Sequence, residues 1–290
     1  MQRLIFASLS FLLCAATAAE AIECAQCDAW NKDQAPFRIF GNTYYVGTHG
    51  LSAVLVTSPD GHVLIDGALP QSAPLIARHV EQLGFRMSDV KVILNSHVHF
   101  DHAGGIAELQ RLSGAKVVAS ERAAGVLRTG QVDPGDPQAA RLPGFPGAEN
   151  VESLGERGVV EVGPLQLTVI HTPGHTPGGT SWTWKSCEGD RCLDIVYGDS
   201  LNAISDDAFK YSGDARYPGA ASDMSRSIAA LDAAPCDILI AAHPEFTGLW
   251  SIIDGDGRGD REKLIDASAC KRYAAAARAR FERRLESEKR

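Results

Sequence analysis

Three imidazoles and a carboxylate fall within six residues of this chain, His97-Val98-His99-Phe100-Asp101-His102, directly after an apolar run at 90–94. Such a cluster is costly to assemble without a cation. Its place at the exit of a strand calls for a fold that gathers loops along one edge of a sheet. On such a loop His97 and His99 can face one ion while Asp101 and His102 turn toward a neighbouring one. Zinc suits these ligands, taking neutral imidazole nitrogen and carboxylate oxygen at about 2.0–2.2 Å. A solvated loop or a helix cap accounts for a lone histidine far better than for H-x-H-x-D-H.

Two more histidines stand where further ligands are needed. His175 lies in the turn Thr172-Pro173-Gly174-His175-Thr176-Pro177-Gly178-Gly179 between two expected strands, and His243 follows the apolar run at 237–242. Together with the six-residue motif they complete two sets of three ligands. His171 is left unassigned as a residue that can face the core. His49, His62 and His79 have no motif around them and read as ordinary polar residues.

Around these residues the chain reads as strands at 37–40, 43–46, 52–57 and 62–66, then a helix at 70–83 that stops at Gly84. A buried strand at 90–94, a helix at 105–112, a strand at 117–119 and a helix at 121–127 follow. Residues 129–158, with Pro134, Pro137, Pro143 and Pro146, read as a long loop, and such a stretch inside a domain is more often a functional flap than waste. Strands resume at 159–162, 165–170, 180–184 and 193–197, then a helix at 221–233, a strand at 237–241 and a charged helix from 261 to the end. The same series of elements occurs twice. The expected fold is an α+β sandwich, two facing mixed β-sheets with helices on the outer faces. Phe145, Phe246 and Trp250 are candidates for an apolar wall over the site.

Residues 1–19 have the pattern of an export signal: Arg3, an apolar stretch too short to span a bilayer comfortably, and Ala16-Thr17-Ala18 at the cleavage position. Leu13 before Cys14 disfavours a lipid anchor, because a small residue is wanted there. Residues 20–290 are expected to form one domain, exported to the periplasm and free of the membrane. Six cysteines remain after the signal, an even number that suits bridges in an exported chain although it allows 15 pairings. Proximity favours Cys187–Cys192 and Cys24–Cys27, which leaves Cys236 with Cys270. With 28 basic and 36 acidic side chains the net charge is −8, and no basic block invites nucleic acid as a partner.

The order of H-x-H-x-D-H, the T-P-G-H-T-P-G turn, Gly198-Asp199-Ser200-Leu201 and His243-Pro244 resembles the metallo-β-lactamase superfamily. Tyr197 to Asn202, Arg216-Tyr217-Pro218, Pro235-Cys236-Asp237 and Cys270-Lys271-Arg272-Tyr273 narrow the likeness to subclass B3, from about Ala35 onward. The resemblance implies two zinc ions, with His97, His99 and His175 on the first and Asp101, His102 and His243 on the second. Ser200 stands where other subclasses place a cysteine ligand, which explains the use of His102. The implied activity is hydrolysis of penicillins, cephalosporins or carbapenems by a zinc-bound hydroxide that Asp101 orients, giving antibiotic resistance. Ser200 and Asn202 are the candidates for holding the substrate carboxylate. The partner expected is a small β-lactam, and the chain is expected to act as a monomer. Two rivals stand beside this reading: a glyoxalase II-like thioester or lactone hydrolase of the same fold, and a non-catalytic zinc protein. Glyoxalase-type members use a G-D-[ST]-L aspartate to bridge their metals, so the role of Asp199 stays open.

Overall fold

Alternate residues of each strand enter different cores, and this two-residue period sorts the chain into four layers. The computed structural model describes residues 21–154 and 158–290, so the expected export signal at 1–19 lies outside the described residues. Strands β1 (Phe37–Phe40), β2 (Thr43–Tyr45), β3 (Val54–Val56), β4 (His62–Ile65), β5 (Val90–Leu94), β6 (Lys116–Ser120) and β7 (Val151–Leu154) form one sheet in that order. β1 to β4 are antiparallel neighbours and β4 to β7 are parallel. The second sheet holds β8 (Val159–Val162), β9 (Leu165–His171), β10 (Thr180–Glu188), β11 (Arg191–Gly198) and β12 (Ile238–Ala241) in the order β12-β11-β10-β9-β8. Only the β11–β12 pair is parallel there.

Val54, Val56, Val63 and Ile65 face Leu167, Val169, Trp182, Ile195 and Tyr197 across the space between the sheets. The intervening Leu55, Leu64 and Ile93 point outward, against α2 (Ala73–Gln82), α4 (Ile106–Ser113) and α5 (Glu121–Thr129). Val196, Leu239 and Ala241 point to the opposite side, against α6 (Ala220–Ala233) and α7 (Ala269–Ser287). Two short helices, α1 (Cys27–Trp30) and α3 (Phe100–Ala103), lie at the rim. The result is the expected sandwich. No helix among the described residues is long and apolar enough to cross a membrane.

Two expectations need correction. The loop at 129–158 contains β7, which pairs parallel with β6; the run Val-Glu-Ser-Leu is too short and too weakly alternating to announce a strand by itself. The last helix starts at Ala269, not near 261. Residues Arg261–Leu264 form a 3₁₀ turn, and the Asp266 amide is drawn to the Asp237 carbonyl at 2.6 Å, which breaks the helical path.

The cysteines pair as Cys24–Cys27, Cys187–Cys192 and Cys236–Cys270. The last joins the lead-in to β12 to the first turn of α7 across a separation of 34 residues, the longest of the three. Replacing Cys236 and Cys270 together by alanine is expected to cost about 2–4 kcal/mol, because the unfolded chain regains loop entropy. Thermal melts of the non-reduced proteins check this, and an unchanged midpoint would refute it.

Strand direction builds the site. β4 and β5 run parallel, as do β11 and β12, so their C-terminal ends reach the same rim of the sandwich. Cross-sheet hydrogen bonds hold the two sheets together there: the Thr180 amide to the Ser96 carbonyl at 2.7 Å, the Ser52 amide to the Ala242 carbonyl at 2.9 Å, and the Tyr197 hydroxyl to Asp66 at 2.9 Å.

Candidate metal centre

Five short segments at this rim carry the chemistry. β5 ends at Leu94 and releases Asn95 to His99, and α3 then winds Asp101 and His102 back over the strand ends. The turn after β9 supplies His175. Its glycines are structural necessities: Gly174 has φ +138°, and a side chain on Gly179 would put a Cβ 2.3 Å from Asp199 Oδ2. β11 ends at Gly198 and delivers Asp199 and Ser200, while β12 delivers His243.

The six residues singled out in the sequence converge. The rings of His97, His99 and His175 form a triangle with all three centroid separations at 4.8 Å. Beside it, His102 Nε2 lies 3.1 Å from His243 Nε2, and Asp101 Oδ2 lies 3.3 and 3.4 Å from those two nitrogens. Three ligands sharing one tetrahedral ion at 2.0–2.2 Å lie about 3.3–3.6 Å apart, close to these separations. Two sets of ligand atoms, those of His97, His99 and His175 and those of His97, Asp101 and His102, each fall within 4.8 Å of one another and can hold a metal ion.

The imidazoles are aimed from behind. His97 Nδ1 lies 2.8 Å from Asp199 Oδ1, His99 Nε2 lies 3.0 Å from Asp136 Oδ2, and His175 Nδ1 donates to the Asn202 carbonyl at 2.7 Å. Those contacts leave His97 Nε2, His99 Nδ1 and His175 Nε2 for the centre of the cluster, the ring orientation that metal-bound histidines adopt. His97 Nε2 is buried with no hydrogen-bond partner, as befits a nitrogen that would hold a cation. Asp66, buried and held at φ +63°, accepts from the Ser96 amide, the Ser96 hydroxyl, Asn95 and Tyr197, and lies 3.7 Å from His102 Nδ1. Asp199, whose bridging role the sequence left open, sits on the back of His97 and also accepts from the Ser200 amide at 2.7 Å.

Charge makes the same case. Asp66, Asp101, Asp136 and Asp199 are all buried, and their ion-pair partners among the described residues are histidines, with no lysine or arginine. By contrast Asp206, also buried, is paired with Arg216 at 2.9 Å. Burial pushes the Asp66 carboxyl up and the Asp199 carboxyl well above the ordinary range. Burial and the neighbouring imidazoles pull His97 well down, and burial with His99 nearby takes His175 down to about 3. Four buried aspartates around a cluster of imidazoles, with no lysine or arginine paired to them among the described residues, form a site that two divalent cations would balance.

A cavity of about 230 Å³ opens over the cluster. Ser200 and Asn202 both line it. The Ser200 hydroxyl is buried without a partner, whereas the Asn202 backbone carbonyl is already committed to His175. Phe246 lines the cavity as expected, but Phe145 and Trp250 do not. Phe145 packs toward the outer core beside α5, and Trp250 stacks on His49 at 4.8 Å against the inter-sheet core. From the proline-rich loop it is Gln138 and Leu142 that reach the cavity. The sequence reading also missed Trp30, whose ring lies 5.5 Å from that of His243, and the backing residues Asp66 and Asp136. Asp66 left one signal, an acid closing an apolar strand next to β5; Asp136 left none.

The family model described as the metallo-beta-lactamase superfamily matches residues 46–243. Among solved structures, the Rm3 metallo-beta-lactamase is 54% identical with a TM-score of 0.90, covering 93% of this chain and 100% of that one. MEM-A1, a subclass B3 metallo-beta-lactamase from a soil metagenome library, is 51% identical with a TM-score of 0.87, covering 89% and 98%. Curated relatives are more distant: a hydroxyacylglutathione hydrolase of Rhodospirillum rubrum is 26% identical over 61% of this chain and 56% of its own length. One from Maricaulis maris is 27% identical over 60% and 55%. The chain spans about half the length of the curated relatives it matches. Because the family match runs through every one of the six clustered side chains, from Val46 to His243, this chain belongs to the metallo-beta-lactamase superfamily of hydrolases.

Proposed function

We propose that this protein is a periplasmic subclass B3 metallo-β-lactamase that opens the ring of β-lactam antibiotics with two zinc ions. The observation that carries the reading is the cluster itself: six convergent side chains, backed by buried carboxylates whose ion-pair partners among the described residues are all histidines. His97, His99 and His175 would hold the first zinc, and Asp101, His102 and His243 the second. When bound, the zinc pair supplies a water of lowered pKa and an electrophile for the carbonyl oxygen.

The protein's own part is orientation and proton handling. The acceptors behind His97, His99 and His175 take each ring's outer N–H and so fix the tautomer that turns a bare nitrogen inward. Asp101 Oδ2 faces the junction of the two ligand sets, where it can accept a hydrogen bond from the attacking water and set its direction. The unpaired Ser200 hydroxyl, with the Asn202 amide beside it, offers donors for the substrate carboxylate. Phe246, Trp30 and Leu142 supply apolar walls that exclude water from the remaining sides.

A thioester hydrolase of the hydroxyacylglutathione kind is the second reading, favoured by the curated relatives and by Gly198-Asp199-Ser200-Leu201. Against it, no lysine or arginine lines the cavity among the described residues, and a glutathione thioester brings two carboxylates to be held where a β-lactam brings one. Hydrolysis of a chromogenic cephalosporin and of a lactoyl-glutathione thioester, with and without chelator, decides. Ring opening that chelator abolishes and added zinc restores is the expected result; thioester cleavage without ring opening would replace this reading with the second.

A further inference from the structure

The proline-rich segment between α5 and β7 touches the centre through one side chain. Asp136 is 1% exposed and His99 4%, and their 3.0 Å contact joins Nε2 of the imidazole to Oδ2 of the carboxylate. The other oxygen, Oδ1, accepts the Gln138 amide at 2.7 Å, which closes a tight turn directly before a residue of the substrate cavity. The turn is pinned on both sides. Arg122 grips Asp133 with two hydrogen bonds at 2.6 and 3.0 Å, and Asp133 Oδ1 accepts the Gly135 amide at 2.8 Å. The Asp206 amide donates to the Pro137 carbonyl at 2.8 Å, linking the segment to the chain that follows Asn202. One carboxylate therefore has two duties: one oxygen shapes the wall that carries Gln138 and Leu142, and the other sets the tautomer and tilt of His99.

We propose that Asp136 is a positioning residue that couples the 131–142 segment to the first metal position. By fixing His99 with Nδ1 turned inward it strengthens the grip on the ion, and the bound ion in turn orders the segment that bears Gln138 and Leu142. The coupling is reciprocal, since whatever stabilises the Asp136–His99 contact stabilises both of its ends. This rests on His99 being a zinc ligand.

Two measurements test it, neither of which reads activity. The first needs no variant: adding zinc to the metal-free wild-type chain should slow amide hydrogen exchange across 131–142, with no comparable change at the β10–β11 turn around Cys187 and Cys192, at the strand ends opposite the rim. The second compares zinc affinity by competition with a chromophoric chelator. Asp136→Asn keeps an acceptor for the Gln138 amide but loses the charge facing His99, and its first-site affinity should fall about 10–100-fold. Asp136→Glu should recover part of that loss. A purely structural role would lower the melting temperature of Asp136→Asn and leave its zinc affinity unchanged, which overturns the proposal. Zinc binding by the wild type without slower exchange at 131–142 also overturns it. If the wild type bound no zinc, the ligand assignment itself would fall, and the proposal with it.

Discussion

Asp101→Asn is expected to lower kcat for the proposed cephalosporin ring opening by about 10²–10⁴-fold, the range for loss of a positioned proton-handling group. Asp101 is the one carboxylate among the six clustered side chains, and Oδ2 meets His102 Nε2 and His243 Nε2 at 3.3 and 3.4 Å. Burial alone would raise its pKa, yet the charge of His102 and hydrogen bonds from His102 and His243 hold it well below the usual carboxylate range. It is thus an acceptor only. Asparagine is nearly the same size, so the rim should fold as before, but it is neutral and turns an N–H toward groups that have no free acceptor for it. Zinc content should fall toward one ion per chain, because the set at Asp101, His102 and His243 loses its anionic member. Steady-state kinetics together with metal analysis check this. A variant within tenfold of the wild type and retaining two zinc ions would remove Asp101 from the mechanism.

Trp182→Ala is expected to cost about 3–5 kcal/mol of stability, as large-to-small changes in a sealed core do. Trp182 is completely buried between the sheets, and its indole N–H donates to the Asn95 carbonyl at 3.1 Å. That carbonyl also accepts the Thr180 hydroxyl at 2.7 Å, and the Asn95 side chain donates to Asp66 and to the His97 carbonyl. The lost ring therefore empties the centre of the core and loosens the strand exit that aims His97. A drop in melting temperature of about 10 °C is expected for a chain of this size. Trp182→Phe keeps most of the volume and loses the hydrogen bond, so it should cost about 1 kcal/mol. If Trp182→Ala melted within about 2 °C of the wild type, the inter-sheet core would not be the support that its burial implies.

Most of the clustered side chains were legible in the sequence because they are local. His97, His99, Asp101 and His102 share one strand exit, and their spacing alone puts them within reach of one another. His175 and His243 also follow strands, and the proline and glycine residues around His175 mark the turn. The sandwich was legible for a similar reason: strand alternation, as in Val54-Leu55-Val56, is written residue by residue. The short separations of Cys24–Cys27 and Cys187–Cys192 favoured those bridges.

The failures came where non-local contacts decide. Phe145 and Trp250 are as aromatic as Phe246, but each turned to a different core, and nothing in their neighbouring residues distinguishes them. Trp30 reaches the wall only because the segment before β1 folds back, with Ile22 hydrogen-bonded to the Gln71 side chain through both its amide and its carbonyl.

The sequence by itself determined which side chains could bind cations and that strand ends would present them, since periodicity and spacing are properties of the chain. Only the tertiary structure decided which aspartates stand behind which imidazoles. Asp136 meets His99 across 37 positions, and Asp199 meets His97 across a longer gap still. An aspartate near a proline or at a strand end looks the same whether it caps a turn or aims a ligand. What separates the two is burial without a cation of its own, and burial exists only once the sheets have closed.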